Sequence, residues 1–433
     1  MKYSQFNTFF KYNDHDILFN TLSNSFIAVA PLLKDLLDAA TLNGNLEELR
    51  DIHPTFYNKL VDKRFIIEND VNEVEIVKQM QKEIDILDNS LFHLIINPTM
   101  NCNFKCWYCY ESHIKGSRLN QNTMEKVKLL IKGIIVNSQE LKTFRLSWFG
   151  GEPLLQFRDV IKPLQTYCYM LCKEYKISFS SGFTTNGFLI TDEMITFFKK
   201  NGVIDFQITL DGNRDLHDSI RFVNKDRGSY DIIVSNILNL CKNGFKVSLR
   251  INYTKVNIST ITDIIPDLLN LETEYRKNLK ISFHKVWQEK NPTLEEKLLY
   301  IHKEFRNAGL VSIWGDLPDN VRNSCYADRK NHATINYNGE VFKCTARNFS
   351  NDSKEGILDE TGNIKWNNKL KERLNIKFKN KPCLSCSILP ICNGGCSQHA
   401  LEHQGIDYCE YDFDEEKKKS VIFRKFEEMY NNA

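Results

Sequence analysis

Two dense groups hold ten of the thirteen cysteines of this 433-residue chain, and their spacing is typical of metal ligands. The first group is Cys102, Cys106 and Cys109, in the pattern CxxxCxxC. Three thiolates at these separations can hold one face of a four-iron, four-sulfur cluster and leave its fourth iron open to a substrate or cofactor. A structural zinc site is the alternative, because His113 can supply the fourth ligand that zinc normally requires.

The second group lies near the carboxyl end and reads C, x13, G, x4, C, then, after a gap, CxxCx5CxxxC, x12, C. Turn-rich segments such as NYNGEVFKC and PICNGGC indicate loops built around ligands rather than a large core, with iron–sulfur clusters or two zinc sites as the candidates. Its members are Cys325, Cys344, Cys383, Cys386, Cys392, Cys396 and Cys409. The three remaining cysteines, Cys168, Cys172 and Cys241, lie on predicted helices and are expected to be core residues.

Composition and the amino terminus bear on location and partners. The start, MKYSQFNTFF, lacks the basic segment and apolar run of a secretory signal, so we expect a reducing cytoplasm where structural disulfides are rare. The 57 Lys and Arg nearly balance the 55 Asp and Glu, which gives no electrostatic reason to expect nucleic acid or an anionic membrane as a partner. The longest uncharged stretch, 17–33, is interrupted by polar residues and a proline and does not predict a membrane span.

From about residue 92, short apolar runs alternate with segments of helical period, which predicts an α/β fold with a parallel sheet. Six such strands are fewer than the eight of a closed barrel, so an open partial barrel and a doubly wound sheet both fit. In either fold, reactive residues collect at the carboxyl ends of the strands. The predicted strands cover 92–99, 143–150, 177–185, 203–212, 246–254 and 279–287.

Residues 1 to about 90 differ from the rest of the chain. Two β-like runs, FNTFFKYN and DILFNTL, with SFIAVA following, precede helical segments around PLLKDLLDAA and LEELRDI. This order resembles a small winged-helix module, and a purely structural cap on the α/β domain is the alternative.

Four motifs follow the first four predicted strands in order: CNFKCWYC, WFGGEP, TTNG and LDGNRDLHDSIR. Together they resemble the radical S-adenosylmethionine (SAM) superfamily, whose fold is a partial (β/α)6 barrel. The resemblance implies that Cys102, Cys106 and Cys109 hold a cluster whose open iron takes the amino and carboxylate groups of SAM. The implied SAM-binding residues are Tyr108, Gly150, Gly151, Glu152, Asn186, Asp211 and Arg221.

The chemistry of these residues suits such contacts. The glycine pair lets the backbone approach the SAM ammonium, with Glu152 as a charge partner, and Arg221 is a partner for the carboxylate. Tyr108 would lie near the adenine. The ordinary alternatives are simple turns at the glycine pair and at Asp211, and a surface position for Arg221.

The seven-cysteine pattern resembles the SPASM domain, which in its relatives carries two auxiliary four-iron, four-sulfur clusters. By that resemblance one cluster, the distal one, is held by Cys383, Cys386, Cys392 and Cys409. The proximal one is held by Cys325, Cys344 and Cys396, and we expect it to keep one iron open because no further cysteine remains outside the predicted helices. The expected modules are a winged-helix peptide recognition module (1–88), a radical SAM partial barrel (89–315) and a SPASM domain (316–433).

Radical SAM proteins with SPASM domains act mostly on peptides or proteins, and an amino-terminal winged-helix module resembles the leader-binding element of peptide maturases, to which a leader adds a strand. We therefore expect an oxidoreductase that cleaves SAM to a 5'-deoxyadenosyl radical and abstracts hydrogen from a ribosomally made precursor peptide. The expected product is an intrapeptide carbon–carbon or thioether crosslink. A flavodoxin or ferredoxin is the expected reductant.

Two other functions stay open from the sequence. A formylglycine-generating sulfatase-type maturase has an Asp after the second SPASM cysteine as catalytic base, whereas Thr345, Ala346 and Arg347 follow Cys344 here. A non-catalytic iron–sulfur protein that binds peptides or carries electrons is the other alternative, and the intact CxxxCxxC and GGEP motifs argue against it. No catalytic base is assigned.

Overall fold

A computed structural model describes residues 1–224, 227–289, 294–313 and 322–431, and the chain separates into two compact units. The first comprises Met1–Asp88, Asp316–Lys330 and Lys369–Ala433, and the second comprises Asn89–Gly315 and Asn331–Asn368. The division into modules 1–88, 89–315 and 316–433 stays a prediction. Its boundary between residues 315 and 316 lies outside the described residues.

The strands of the described residues range from two to eight residues in length. They are β1 (Lys2–Tyr3), β2 (Asn7–Tyr12), β3 (His15–Asn20), β4 (Ser25–Val29), β5 (Ile66–Ile67), β6 (Leu91–Ile96), β7 (Thr143–Trp148), β8 (Ser178–Thr185), β9 (Val203–Leu210), β10 (Phe222–Asn224), β11 (Arg227–Gly228), β12 (Lys246–Tyr253), β13 (Leu279–Lys285), β14 (Val311–Ile313), β15 (His332–Ile335), β16 (Glu340–Phe342), β17 (Gly356–Leu358) and β18 (Ile364–Trp366).

The α-helices lie between and after these strands. They are α1 (Pro31–Leu42), α2 (Glu48–Ile52), α3 (Pro54–Asp62), α4 (Glu73–Lys82), α5 (Gln121–Asn137), α6 (Lys162–Glu174), α7 (Asp192–Lys200), α8 (Arg214–Ile220), α9 (Tyr230–Lys242), α10 (Ile265–Leu269), α11 (Thr273–Arg276), α12 (Glu295–Asn307), α13 (Asn368–Leu374), α14 (Leu389–Cys392), α15 (Ser397–Glu402) and α16 (Glu415–Asn431). Within the described ranges, no helix combines the length and the apolar character needed to cross a membrane.

The second unit is built on one open eleven-stranded sheet in the order β14-β13-β12-β9-β8-β7-β6-β15-β16-β17-β18. All six predicted strands form, as β6, β7, β8, β9, β12 and β13, and they pair in parallel. The α/β fold with an open partial barrel is therefore confirmed.

Two short strands extend this sheet beyond the prediction. β14 pairs in parallel with β13 at one end, and β15 pairs in parallel with β6 at the other side of the six-strand set. Strands β16 to β18 then continue from β15 in antiparallel order.

Alternation along the strands separates an apolar face from a polar one. On β7, Phe144, Leu146 and Trp148 are fully buried in the hydrophobic core, whereas Arg145 and Ser147 point to the opposite face. Polar N-caps start the helices that cover the apolar face. Asn120 and Thr191, for example, accept hydrogen bonds from backbone amides in the first turns of α5 and α7.

The first unit contains the antiparallel sheet β2-β3-β4, and both faces of this sheet are covered. Leu18 and Ile27 pack with Leu37 of α1 on one face. On the other face, aromatic side chains of the sheet pack against α16, far along the chain. The ring of Phe426 lies with its centroid 4.9 to 5.2 Å from those of its three sheet neighbours, Phe10, Tyr12 and Phe26.

We expect Phe426→Ala to destabilise the first unit by about 3–5 kcal/mol, because it removes a buried aromatic ring and leaves a cavity. The measurement is a urea titration combined with hydrogen exchange of the β2–β4 amides. Lys419→Ala on the same helix is the control, since Lys419 is about half exposed and its surface ion pair with Glu416 contributes little to stability. Equal stability of the two variants would contradict this packing.

Candidate functional site

The carboxyl ends of four neighbouring parallel strands carry the residues singled out in the sequence. The cysteine loop follows β6, the glycine pair follows β7, Asn186 follows β8 and Asp211 follows β9. Because these strands are adjacent in the sheet, their ends meet at one edge. The structure thus brings the first cysteine group and the predicted SAM-binding residues together.

The three thiols of the cysteine loop are free of disulfides. Cys102 and Cys106 are partly buried and Cys109 is exposed. Burial raises the pKa of Cys102 to about 12 and that of Cys109 to about 11, and the positive charge of Arg221 opposes the rise at both. Burial also raises the pKa of Cys106, and Arg221 again opposes it.

This arrangement fits a cluster held by thiolates. One buried guanidinium favours the ionised form of all three thiols, and cluster ligation requires that form. His113 contacts the group through Cys109, with 3.5 Å between Nε2 and Sγ. In the described part of the chain, no three His, Cys, Asp or Glu side chains converge as ligands of a single metal ion.

The glycine pair after β7 lies in direct contact with the backbone of the cysteine loop. A Cβ added to Gly151 would lie 2.2 Å from the carbonyl oxygen of Asn101. Gly150 has a φ of +81°, and a Cβ there would lie 2.8 Å from both Asn97 Cβ and the carbonyl oxygen of Thr99. The motif therefore does more than form a turn, because only glycine permits this approach.

Glu152 ties the ends of three strands together. Its amide donates to the carbonyl of Asn101, 2.8 Å away. Its buried carboxylate accepts hydrogen bonds from the Asn186 amide at 2.7 Å, the Thr185 hydroxyl at 2.8 Å and the Leu154 amide at 2.9 Å. Burial raises the pKa of Glu152 to about 7, which these hydrogen bonds partly oppose. Its oxygens retain capacity to accept a further donor.

Partly buried Tyr108 and buried Asp211 and Arg221 form a hydrogen-bonded triad. The Tyr108 hydroxyl donates to Asp211 Oδ1 over 2.6 Å and accepts from Arg221 Nη2 over 2.7 Å. Arg221 Nε also pairs directly with the Asp211 carboxylate. Arg221 is 8% exposed and Asp211 is 1% exposed, so the surface position considered for Arg221 is wrong.

Behind the triad lies a chain of hydrogen bonds that the sequence analysis did not assign. The Asp211 amide donates to His217 Nδ1 over 3.3 Å, His217 Nε2 lies 3.0 Å from Ser229 Oγ, and Ser229 Oγ donates to the Arg221 carbonyl over 2.6 Å. Since Nδ1 accepts, the proton of the neutral ring resides on Nε2, and burial lowers the pKa of His217 well below its usual value. His217 therefore positions both ends of the Asp211–Arg221 pair.

Glu111 is a second residue that sequence reasoning missed. Its carboxylate accepts a hydrogen bond from the Gly151 amide, and burial raises its pKa to about 8. The sequence offered one signal, the position of Glu111 directly after CWYCY. Its hydrogen-bond partner, Gly151, becomes a neighbour only in the fold.

In the first unit, four of the carboxyl-terminal cysteines line one cavity and form no disulfides. They are Cys383, Cys386, Cys392 and Cys409. Asn380 Nδ2 donates to Cys383 Sγ over 3.1 Å, and the Tyr411 amide donates to Cys409 Sγ over 3.4 Å. Amide donors to sulfur suit ligands of an iron–sulfur cluster, whose potential they tune.

The remaining cysteines are divided between the units. Cys325 and Cys396 belong to the first unit and Cys344 to the second. Cys168, Cys172 and Cys241 are fully buried in the hydrophobic core of the second unit, as expected of core residues.

We expect Gly151→Ala to break the contact between the glycine pair and the cysteine loop, because its Cβ would overlap the Asn101 carbonyl. The measurement is hydrogen exchange of the Glu152 amide, which should become faster once its bond to Asn101 is lost. Gly133→Ala in α5 is the control, since a Cβ there meets only Asn137 Nδ2 at 4.0 Å. Equal exchange in the two variants would show that the close approach is unimportant.

Comparison with known proteins adds to this geometry. The model of the Radical SAM superfamily matches residues 96–268. The chain is 32% identical over 179 residues to a cysteine-type anaerobic sulfatase-maturating enzyme of Clostridium novyi, covering 40% of this chain and 45% of that protein. It thus spans less than half the length of this relative.

A longer match is 23% identical over 414 residues to the radical SAM cyclopropyl synthase TigE of Paramaledivibacter caminithermalis, and it covers 86% of this chain and 81% of that one. Among solved structures, Streptococcus suis SuiB bound to S-adenosylmethionine has a TM-score of 0.55 at 18% identity, over 96% of this chain and all of that one. SuiB bound to precursor peptide SuiA has a TM-score of 0.53 at 16% identity, over 95% of this chain and all of SuiB. At these identities the two structures establish a shared fold.

The matched segment contains the cysteine loop, the glycine pair, Glu152 and the Tyr108–Asp211–Arg221 triad. Over residues 96–268, which carry this site, the chain resembles the Radical SAM superfamily.

Proposed function

We propose that this chain is a radical SAM maturase that modifies a ribosomally made precursor peptide. The observation that carries the proposal is that a loop with three free thiols, a buried arginine and the glycine pair lie at one edge of the parallel sheet. When bound, the cluster and SAM supply one-electron cleavage to methionine and a 5'-deoxyadenosyl radical that abstracts hydrogen from an unactivated carbon. The chain's own residues bind and orient these groups.

The proposed division of labour follows the contacts. Cys102, Cys106 and Cys109 hold the cluster. The backbone at Gly150 and Gly151 approaches the SAM ammonium, and Glu152 offers its remaining acceptor capacity to the same group.

The triad and Asn186 complete the SAM site in this proposal. Arg221 pairs with the SAM carboxylate, held in place by Asp211, and Tyr108 lies beside the adenine. Asn186 donates from its side chain to Asn103, 2.8 Å away within the cysteine loop, which supports a position beside the cluster.

Two auxiliary clusters complete the proposed cofactor set. Cys383, Cys386, Cys392 and Cys409 are proposed ligands of the distal cluster, since all four line one cavity. Cys325, Cys344 and Cys396 are the proposed ligands of the proximal cluster, with one iron left open. The three remaining cysteines are buried in the core of the second unit, which favours an open iron over ligation by a fourth cysteine.

The proposed peptide partner binds through its leader at the edge of β4. Strand β4 is an edge of the sheet β2-β3-β4, and its Ala28 is exposed. Backbone hydrogen bonds to such an edge supply affinity for an added strand. A protein of similar fold, SuiB, is known with its precursor peptide bound.

We favour a crosslink, carbon–carbon or thioether, over formylglycine as the product. Thr345 stands where a sulfatase-type maturase carries its catalytic Asp, and its carbonyl accepts a hydrogen bond from the Tyr110 hydroxyl over 2.9 Å. Mass spectrometry separates the two products, because a crosslink removes a pair of hydrogens while formylglycine formed from Cys also loses the sulfur.

The radical chemistry predicts that anaerobically reconstituted protein binds about 12 irons per chain and forms 5'-deoxyadenosine from SAM and a strong reductant. Flavodoxin or ferredoxin would take the place of that reductant in the cell. Cys102→Ala should lose about four irons and all 5'-deoxyadenosine. Cys168→Ala, a change in the buried core of the same unit, is the control and should retain both. Zinc in place of iron, or no cleavage by fully loaded protein, would overturn the proposal.

The leader site predicts that Ala28→Pro weakens binding of the precursor peptide by about tenfold or more. Proline removes one amide from β4 and is tolerated on an edge strand. Binding is measured by fluorescence anisotropy with a labelled peptide encoded by a neighbouring short reading frame. A deletion of the whole module is less suitable, because it would expose the aromatic face of α16.

The control for the leader site is Leu42→Ala on α1, whose side chain is 88% exposed. It should leave affinity unchanged. Unchanged affinity in Ala28→Pro, with the sheet intact by hydrogen exchange, would leave the amino-terminal segment as a structural cap.

A further inference from the structure

A cavity of about 510 Å³, whose lining includes several charged and polar side chains, lies on the inner face of the parallel sheet in the second unit. Its lining includes Arg145, Asp205, Lys246 and Lys280, which stand near the amino ends of β7, β9, β12 and β13. The cysteine loop and the glycine pair follow the opposite ends of the strands. This basal cavity, as we call it, extends from the amino ends of these strands to Ser147 and Thr184 near the carboxyl ends of β7 and β8. Its volume is typical of small-molecule sites.

Strand register explains how the basal cavity forms. Gly182 pairs with Asp205, Asp205 with Lys246, and Ser248 with Lys280, so alternate residues of four strands face the same side. A Cβ on Gly182 would lie 2.0 Å from Asp205 Oδ1. The glycine thus leaves room for Asp205 to accept two hydrogen bonds from Arg145 Nη2, each 2.9 Å long.

The walls carry an excess of positive charge. Among the described residues lining the cavity, Asp205 is the one acidic residue, and Arg145 already pairs with it. Lys246, Lys277 and Lys280 line the same cavity with exposed side chains, and within the described residues their ammonium groups make no hydrogen bond or ion pair. A concave surface lined by unpaired charges of one sign concentrates counter-ions of the other sign.

Neutral polar groups add hydrogen-bonding capacity to the same walls. Thr184, Gln207 and Ser248 line the cavity, and their side chains have no hydrogen-bond partner in the described part of the chain. Two hydroxyls and an amide can each donate to an anionic oxygen. Lysine ammonium groups bind phosphate and carboxylate oxygens as point charges.

We propose that the basal cavity binds a small multivalent anion whose charge resides on phosphate or carboxylate groups. Lys246, Lys277 and Lys280 neutralise the ligand, and Gln207, Thr184 and Ser248 orient its oxygens. Arg145 stays paired with Asp205 and contributes to the wall of the cavity near the amino ends of the strands.

The test uses two probes, tripolyphosphate and citrate, with the full-length protein kept anaerobic and the ionic strength held constant with sodium chloride. Isothermal titration calorimetry should show saturable binding of at least one probe, and the midpoint of thermal unfolding should rise with its concentration. Lys246→Gln combined with Lys280→Gln should weaken binding by about tenfold or more. Binding of tripolyphosphate alone identifies a phosphate site, and binding of citrate alone or of both probes identifies a site that takes carboxylates.

Lys199→Gln combined with Lys200→Gln is the matched control. These exposed lysines of α7 lie outside the cavity lining, and their replacement removes the same charge from the same unit. The control should bind the probes with unchanged affinity. Absence of saturable binding by both probes, or equal weakening in the two double variants, would overturn the proposal.

Discussion

The close contact between the glycine pair and the cysteine loop is the constraint on which the site depends. A side chain at Gly151 would overlap the Asn101 carbonyl, so the two loops pack backbone against backbone. The Glu152 amide completes this contact, and its buried carboxylate extends the link to the end of β8. Loops from three strands are therefore held in one arrangement by a contact that requires the absence of side chains at Gly150 and Gly151.

The charge of Arg221 is the second feature that shapes the site. Arg221 is buried, and its charge reaches all three thiols of the cysteine loop, which offsets part of the penalty that burial imposes on thiolates. Asp211 and Tyr108 hold the guanidinium from one side, and His217 supports the pair through the backbone. A cation with so many fixed partners is preorganised for an anionic group and loses little freedom when that group binds.

The six central strands could be predicted from the sequence because each is an apolar run separated from the next by a helical segment. Once these strands were located, the four motifs that follow them could be assigned to their carboxyl ends. Strands β14 and β15 were missed, since three or four residues carry too short a pattern. The pairing of α16 with the amino-terminal sheet depends on contacts such as Phe426 with Phe10, which leave no local signal. His217 and Glu111 were overlooked because their partners become neighbours only in the fold.

The central claim is that the three-cysteine loop holds a cluster with one iron open to SAM. Electron paramagnetic resonance of the reduced, reconstituted protein tests it most directly, with spectra recorded before and after SAM is added. The account predicts a changed cluster spectrum upon addition, retained in Cys383→Ala and absent in Cys106→Ala. A spectrum that SAM leaves unchanged, in protein whose iron content is complete, would contradict it.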